Sequence, residues 1–124
     1  MNQPDNRKII IFDDDEDILS ICSYVLEEQG WEVHIFTDCG NIAEKVSAIN
    51  PNVILMDNWI PDEGGIIATQ ALKNNEALKN IPVIYFSANS DIQLLADHAG
   101  AESYLAKPFD LEELERVINH VLVK

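Results

Sequence analysis

Basic residues are scarce in this sequence. Eight lysines and arginines stand against 22 aspartates and glutamates, a formal net charge of -14 at pH 7. That balance repels phosphate backbones and anionic headgroups, so direct binding to nucleic acid or membrane is not expected, and cations or basic protein surfaces are the natural ligands. Cysteine is scarce as well. Cys22 and Cys39 are too few for a disulfide framework, and no Cys-x-x-Cys pair or Cys/His cluster has zinc spacing, so both are read as free thiols. Long apolar runs are missing: none reaches the roughly 18 residues of a membrane span, and the opening MNQPDNRK lacks the apolar stretch of a signal peptide. A cytoplasmic location is the expectation. Internal repeats, low-complexity tracts and linkers are also lacking, which leaves one domain, residues 1–124.

What is present suits a soluble globular domain, with 47% apolar and 24% charged residues. A chain of this length buries roughly two thirds of the surface it exposes when unfolded. KIIIF (8–12), NVILM (52–56) and VIYFS (83–87) are continuous apolar runs, the pattern of parallel strands buried on both faces. Weaker strands are expected at 31–36 and 103–106.

Segments with helical spacing separate them. Ile18, Cys22, Val25 and Leu26 form one stripe, with acids at its front and Gly30 just past its end. Ile42, Val46 and Ile49 form a second behind a cap at Asp38, ended by Asn50-Pro51. Ile67, Ala71 and Leu72 mark a third, and Ile92, Leu95 and Ala96 a fourth ending near Gly100. A fifth stripe, Leu111, Leu114, Val117, Ile118 and Val121, follows a cap at Asp110. Five strands alternating with five helices predict an α/β fold, a doubly wound parallel sheet of order 2-1-3-4-5. Its ligand crevice lies beyond the carboxyl ends of strands 1 and 3.

The acid run DDDED divides at that crevice. Asp13 and Asp14 end the first strand, whereas Asp15, Glu16 and Asp17 open a helix and complement its dipole. Asp57 ends the third strand, so the fold gathers three carboxylates. Their mutual repulsion, about 4 kcal/mol per pair at 4 Å and an effective dielectric near 20, calls for a hard cation such as Mg²⁺, which leaves coordination positions open for phosphate oxygens. Ser87 and Lys107 reach the same edge from the fourth and fifth strands and supply the hydroxyl and positive charge a phosphoryl group needs.

FDDDEDIL, ILMDNWIPDEGG, VIYFSAN and GAESYLAKPF, in this order and over essentially the whole chain, resemble the receiver domain of two-component response regulators, the CheY-like fold. The resemblance implies that Asp57 is the phosphoacceptor, Asp13 and Asp14 the acid pair, Ser87 the switch hydroxyl and Lys107 the family's lysine. It implies Mg²⁺, with Mn²⁺ as an alternative, held by Asp14, Asp57 and the backbone carbonyl of Trp59, with Asp13 acting through water. The backbone amides of Asn58, Trp59 and Ala88 would bind phosphoryl oxygens. Tyr104 would turn inward when Ser87 moves, reshaping a face built from helix 4, strand 5 and helix 5. A cis bond before Pro108 would aim Lys107, and Pro61 with Gly64-Gly65 would shape the loop after the acceptor.

The implied partners are a histidine kinase or histidine phosphotransfer protein and a downstream protein effector, with the domain a monomer or a weak phosphorylation-dependent dimer. Two features depart from the pattern. Trp59 is bulky where it would overhang the phosphoryl group, which implies slow self-dephosphorylation. SDIQLLADHAG carries no Lys or Arg, so the charged dimer mode of transcription-factor receivers lacks its basic half. Two other readings compete. A degenerate receiver acting only as a docking module would lose the acceptor, the acid pair or the lysine, and all are kept. A Mg²⁺-dependent aspartyl-phosphate phosphatase of the haloacid dehalogenase type would need a second Asp two residues after Asp57, where Trp59 stands. Its base would not come from His34, His98 or His120, on strand 2 and helices 4 and 5.

Overall fold

In a computed structural model that describes residues 7–57, 64–87, 92–107 and 109–122, strands and helices alternate without exception. The elements are β1 (Lys8–Phe12), α1 (Glu16–Glu28), β2 (Glu32–Phe36), α2 (Ile42–Ile49), β3 (Val53–Asp57), α3 (Gly64–Lys73), β4 (Val83–Ser87), α4 (Ile92–Ala99), β5 (Ser103–Ala106) and α5 (Leu111–Leu122). The five strands form one parallel sheet of order β2-β1-β3-β4-β5, as expected.

The central strands are apolar over most of their length because both faces are covered. Ile10, Phe12, Ile54, Met56, Val83 and Tyr85 face one core with α2, α3 and α4. Ile9, Ile11, Val53, Leu55, Ile84 and Phe86 face a second with α1 and α5. Side chains alternate across the sheet, so each strand feeds both cores and the carboxyl ends of β1, β3 and β4 are fixed from two sides.

Several helix ends fold as their sequences require. Asp15 caps α1, its Oδ1 accepting from the amides of Asp17 at 2.9 Å and Ile18 at 3.4 Å. Ahead of α5, Asp110 Oδ1 accepts from Glu113 N at 2.8 Å while Glu113 Oε1 accepts from Asp110 N at 3.2 Å, a reciprocal capping box. Gly30 and Gly100 follow α1 and α4 with φ of 96° and 87°, angles that a Cβ disfavours.

One sequence expectation fails, and a second, the helix holding Ile67, Ala71 and Leu72, forms with a buried face that shares only Leu72 with that set. The residue capping α2 is Asn41, in the left-handed region at φ 55°, and not Asp38. Asp38 instead accepts from Gly40 N and from Lys45 Nζ, both at 3.0 Å. On α3 the buried face is Gly65, Ala68, Thr69 and Leu72, while Ile67 is 58% exposed and Ala71 is exposed too. Small residues let this helix lie close to its neighbours, and that requirement outranks the apolar character of Ile67.

Candidate phosphoryl and metal site

The carboxyl edge of the sheet holds the charged cluster. Beyond β1 the chain keeps pairing with β2 for one more residue, Asp13 N donating to Phe36 O at 3.1 Å, which anchors Asp13 at the sheet edge. Its side chain is fully buried, and Oδ1 accepts from Asp15 N at 2.9 Å. Asp57, the last residue of β3, lies opposite Phe86 of β4 and is also buried. Asp14 is exposed at the rim. Each of Asp13, Asp14 and Asp57 offers an oxygen within 4.8 Å of those of the other two.

Lys107 enters from the far side. Its amide donates to Ser87 O at 2.9 Å, so β5 stays in register with β4 as the chain leaves the sheet. Its Nζ then donates to Asp13 Oδ2 at 2.9 Å and to Asp57 Oδ1 at 3.0 Å. Burial disfavours the ammonium, but the hydrogen bonds and negative charges of Asp13 and Asp57 outweigh it, and the lysine is held charged with its pKa raised. Asp57 is pushed the same way for the opposite reason: burial and the nearby charge of Asp13 raise its pKa more than Lys107 lowers it. One cation against three carboxylates leaves the cluster two negative charges in excess.

That excess leaves room for a cation beside Lys107. The donors are hard oxygens, the carboxylate set is too anionic to be neutralised by Lys107 alone, and Asp14 remains open to solvent; all three features suit Mg²⁺ or Mn²⁺.

Sequence reasoning therefore placed Asp13, Asp14, Asp57 and Lys107 together, and the structure brings them together. Ser87 is buried at the end of β4, one residue beyond the partner of Asp57. Tyr104 lies apart, on edge strand β5, 39% exposed. Trp59, Asn58, Pro61, Ala88 and Pro108 lie outside the described residues.

Other features of the edge were missed. The Phe86 ring lies under Lys107, with Nζ 4.7 Å from its centroid, and Phe109 meets Phe86 edge-on at 6.1 Å. Strict alternation along VIYFS would have put Phe86 on the α1/α5 side, but nothing in the sequence aims Lys107 over it. Tyr85, on the opposite side, is pushed up to about 12 by burial and then by Asp57. Cys22, beneath the site, is pushed up to about 11 by burial and then by Asp13. A separate cavity of about 390 Å³ opens between α1 and β2, lined by Glu16, Ile35, Thr37, Asp38 and Lys45 among others; none of the predicted site residues reaches it.

Known proteins share this plan. The family model for the response regulator receiver domain matches residues 9–119. Protein PilG of Pseudomonas aeruginosa is 31% identical over 114 residues, which make up 90% of this chain and 84% of PilG. The CAI-1 autoinducer sensor kinase/phosphatase CqsS of Vibrio cholerae is 32% identical over 111 residues, 87% of this chain. The chain spans only 16% of CqsS, and 25% of the regulatory protein AtoC of Escherichia coli. Among solved structures, a CheY-like receiver domain protein from Methanospirillum hungatei superposes with a TM-score of 0.85 at 26% identity, over 96% of this chain and 95% of that one. The receiver domain of a sensor histidine kinase from Pseudomonas aeruginosa, which carries a magnesium ion in its active-site cleft, superposes with a TM-score of 0.88 at 24% identity, over 97% of this chain and all of that one.

Proposed function

The chain belongs to the response-regulator receiver family of two-component systems, and we propose that it is an active phosphoacceptor, taking a phosphoryl group onto Asp57 from a histidine kinase or histidine phosphotransfer protein. One observation carries the reading: side chains from the ends of β1, β3 and β5 converge so that Lys107 Nζ bridges the carboxylates of Asp13 and Asp57. A degenerate receiver has no use for that arrangement.

Asp57 attacks phosphorus through a carboxylate oxygen; the new O–P bond forms as the P–N bond to the donor imidazole breaks, leaving an aspartyl phosphate. Two anions must meet for this to happen. Lys107 offsets part of that charge and is already in contact with the attacking carboxylate, so the cation is in place before the phosphoryl group arrives. Ser87 supplies a hydroxyl at the adjoining strand end. Asp14, Asp57 and the Trp59 carbonyl would hold Mg²⁺ directly and Asp13 through water; when bound, the ion would neutralise charge on the phosphoryl oxygens.

The product adds charge and strong acceptors at one sheet edge, and in this reading it draws Ser87 toward the phosphoryl group and Tyr104 inward from its exposed position on β5. The domain is thus a single signalling module spanning residues 1–124, not a turnover enzyme. It acts in the cytoplasm through a protein effector, as a monomer or weak phosphorylation-dependent dimer.

Incubation with acetyl phosphate or phosphoramidate and Mg²⁺, followed by intact mass measurement, tests the assignment. The parent should gain one phosphate and Asp57→Ala none. No adduct on the parent, or an adduct that survives the substitution, overturns it.

A further inference from the structure

The ring beneath Lys107 has no part in the chemistry above, yet it touches the cation on which that chemistry depends. We infer that Phe86 is a positioning residue for Lys107, holding the ammonium at the carboxylate cluster by a cation–π contact while its hydrogen bonds are exchanged. The inference rests on the reading of Lys107 as the phosphoryl-binding lysine.

A lysine ammonium has three donors, and two are committed here, to Asp13 Oδ2 and Asp57 Oδ1. Both bonds are directional, and the one to Asp57 has to be remade when Asp57 becomes an acyl phosphate. Attraction to an aromatic face depends on distance from the ring and not on which N–H points where. At 4.7 Å from the Phe86 centroid, Lys107 Nζ is well inside the roughly 6 Å range of such contacts. The ring therefore retains the cation in either bonding state.

Phe86 is itself fixed. It is fully buried, it belongs to β4, and Phe109 packs against it at 61° between ring planes, an edge-on arrangement that sets the tilt of the ring. Burial strengthens the contact, since little water competes for the ammonium. Phe86 also stands next to Ser87 in the chain, so the residue that places the lysine and the one that supplies the hydroxyl share a strand end.

A core phenylalanine could be present for volume alone, and the test separates the two roles. Phe86 is replaced site-specifically by 4-fluoro-, 3,4-difluoro- and 3,4,5-trifluorophenylalanine, which keep the ring nearly the same size while draining electron density from its face. Phe86→Leu removes the ring. In the metal-free protein, NMR of the lysine side chains should show the Lys107 ε-methylene protons shifted upfield by the ring current. That shift should vanish in Phe86→Leu, and the order of the Lys107 ammonium should fall stepwise with fluorine count.

The rate of phosphorylation by acetyl phosphate should fall in the same order, about tenfold in all, which converts to about 1.4 kcal/mol. Melting temperature should stay nearly level across the fluorinated series. Unshifted Lys107 protons in the parent, or ammonium order flat across the series, overturns the inference. If the parent takes up no phosphate, Asp57 as acceptor is what fails, and the NMR series still decides the role of Phe86. Should Phe86→Leu not fold, the fluorinated variants alone carry the result.

Discussion

Two lysines hold opposite edges of the same sheet, and they do so in opposite ways. At the amino edge Lys73 of α3 donates to Lys79 O at 3.1 Å, Ile81 O at 2.9 Å and Glu102 Oε2 at 2.6 Å, and Glu102 Oε1 accepts from Val83 N at 2.8 Å. One cation meets one anion and two neutral carbonyls. The charges cancel. At the carboxyl edge Lys107 meets two buried carboxylates with a third close by, and the charges do not cancel. A balanced cluster staples strands; an unbalanced one leaves negative charge that a cation can complete. The charge count around each partly buried lysine is thus what distinguishes the two edges.

Removing each lysine should expose that difference. Lys107→Met takes away a prepositioned donor and charge, and phosphorylation of the folded protein by acetyl phosphate should slow by about a hundredfold or more. A rate within a few-fold of the parent would mean that Lys107 only pairs charges, like its counterpart. Lys73→Met should do the reverse. It removes an ion pair to the exposed Glu102 and the donor to two carbonyls, so urea denaturation should show a loss of about 1–2 kcal/mol, while the phosphorylation rate per folded molecule stays at the parental value. Slowed chemistry in Lys73→Met would erase the distinction between the edges.

How far each edge is legible in the sequence follows from the same contrast. Strand ends are easy to find, because the apolar runs carry through β1 and up to the final residue of β3 and β4, and the acids of KIIIFDD and VILMD begin where those runs stop. Asp13, Asp14 and Asp57 could therefore be placed in one crevice from strand order alone. Lys73 and Glu102 could not, since nothing in their local sequence distinguishes them from solvated charges, and their pairing joins the end of α3 to a residue just ahead of β5 that is 29 positions away. The α3 face was misread because Ile67 and Ala71 fit the helical period, yet which small residues must touch the sheet is set by packing distance. Asp38 matched a helix cap by type, but the competing partner Lys45 claims its carboxylate, and the hydrogen bond from Lys45, then that from Gly40 N, lowers the Asp38 pKa. The Phe86 ring under Lys107 was invisible for a similar reason: a contact between neighbouring strands depends on side-chain direction as well as position.

The smallest expected effect probes the imbalance directly. Asp57→Asn keeps the size of the side chain and an oxygen that can accept from Lys107, but removes one of the crowded negative charges. The folded pKa of Asp57 is raised above its ordinary 3.8, so the stabilising effect of its protonated form is complete below 3.8 and is lost as pH rises through the folded value. The parent therefore weakens across that window and Asp57→Asn does not. Near neutral pH the metal-free variant should be the more stable by about 1 kcal/mol, a gap that closes as pH falls through the folded Asp57 value toward 3.8. Mg²⁺ should narrow the gap at neutral pH, because an ion that binds only the folded parent raises its stability by mass action. Denaturation curves of both proteins across this pH range, with and without Mg²⁺, provide the measurement. A variant less stable than the parent at neutral pH without metal would mean that Lys107 already balances the carboxyl edge, and the two clusters would then be alike.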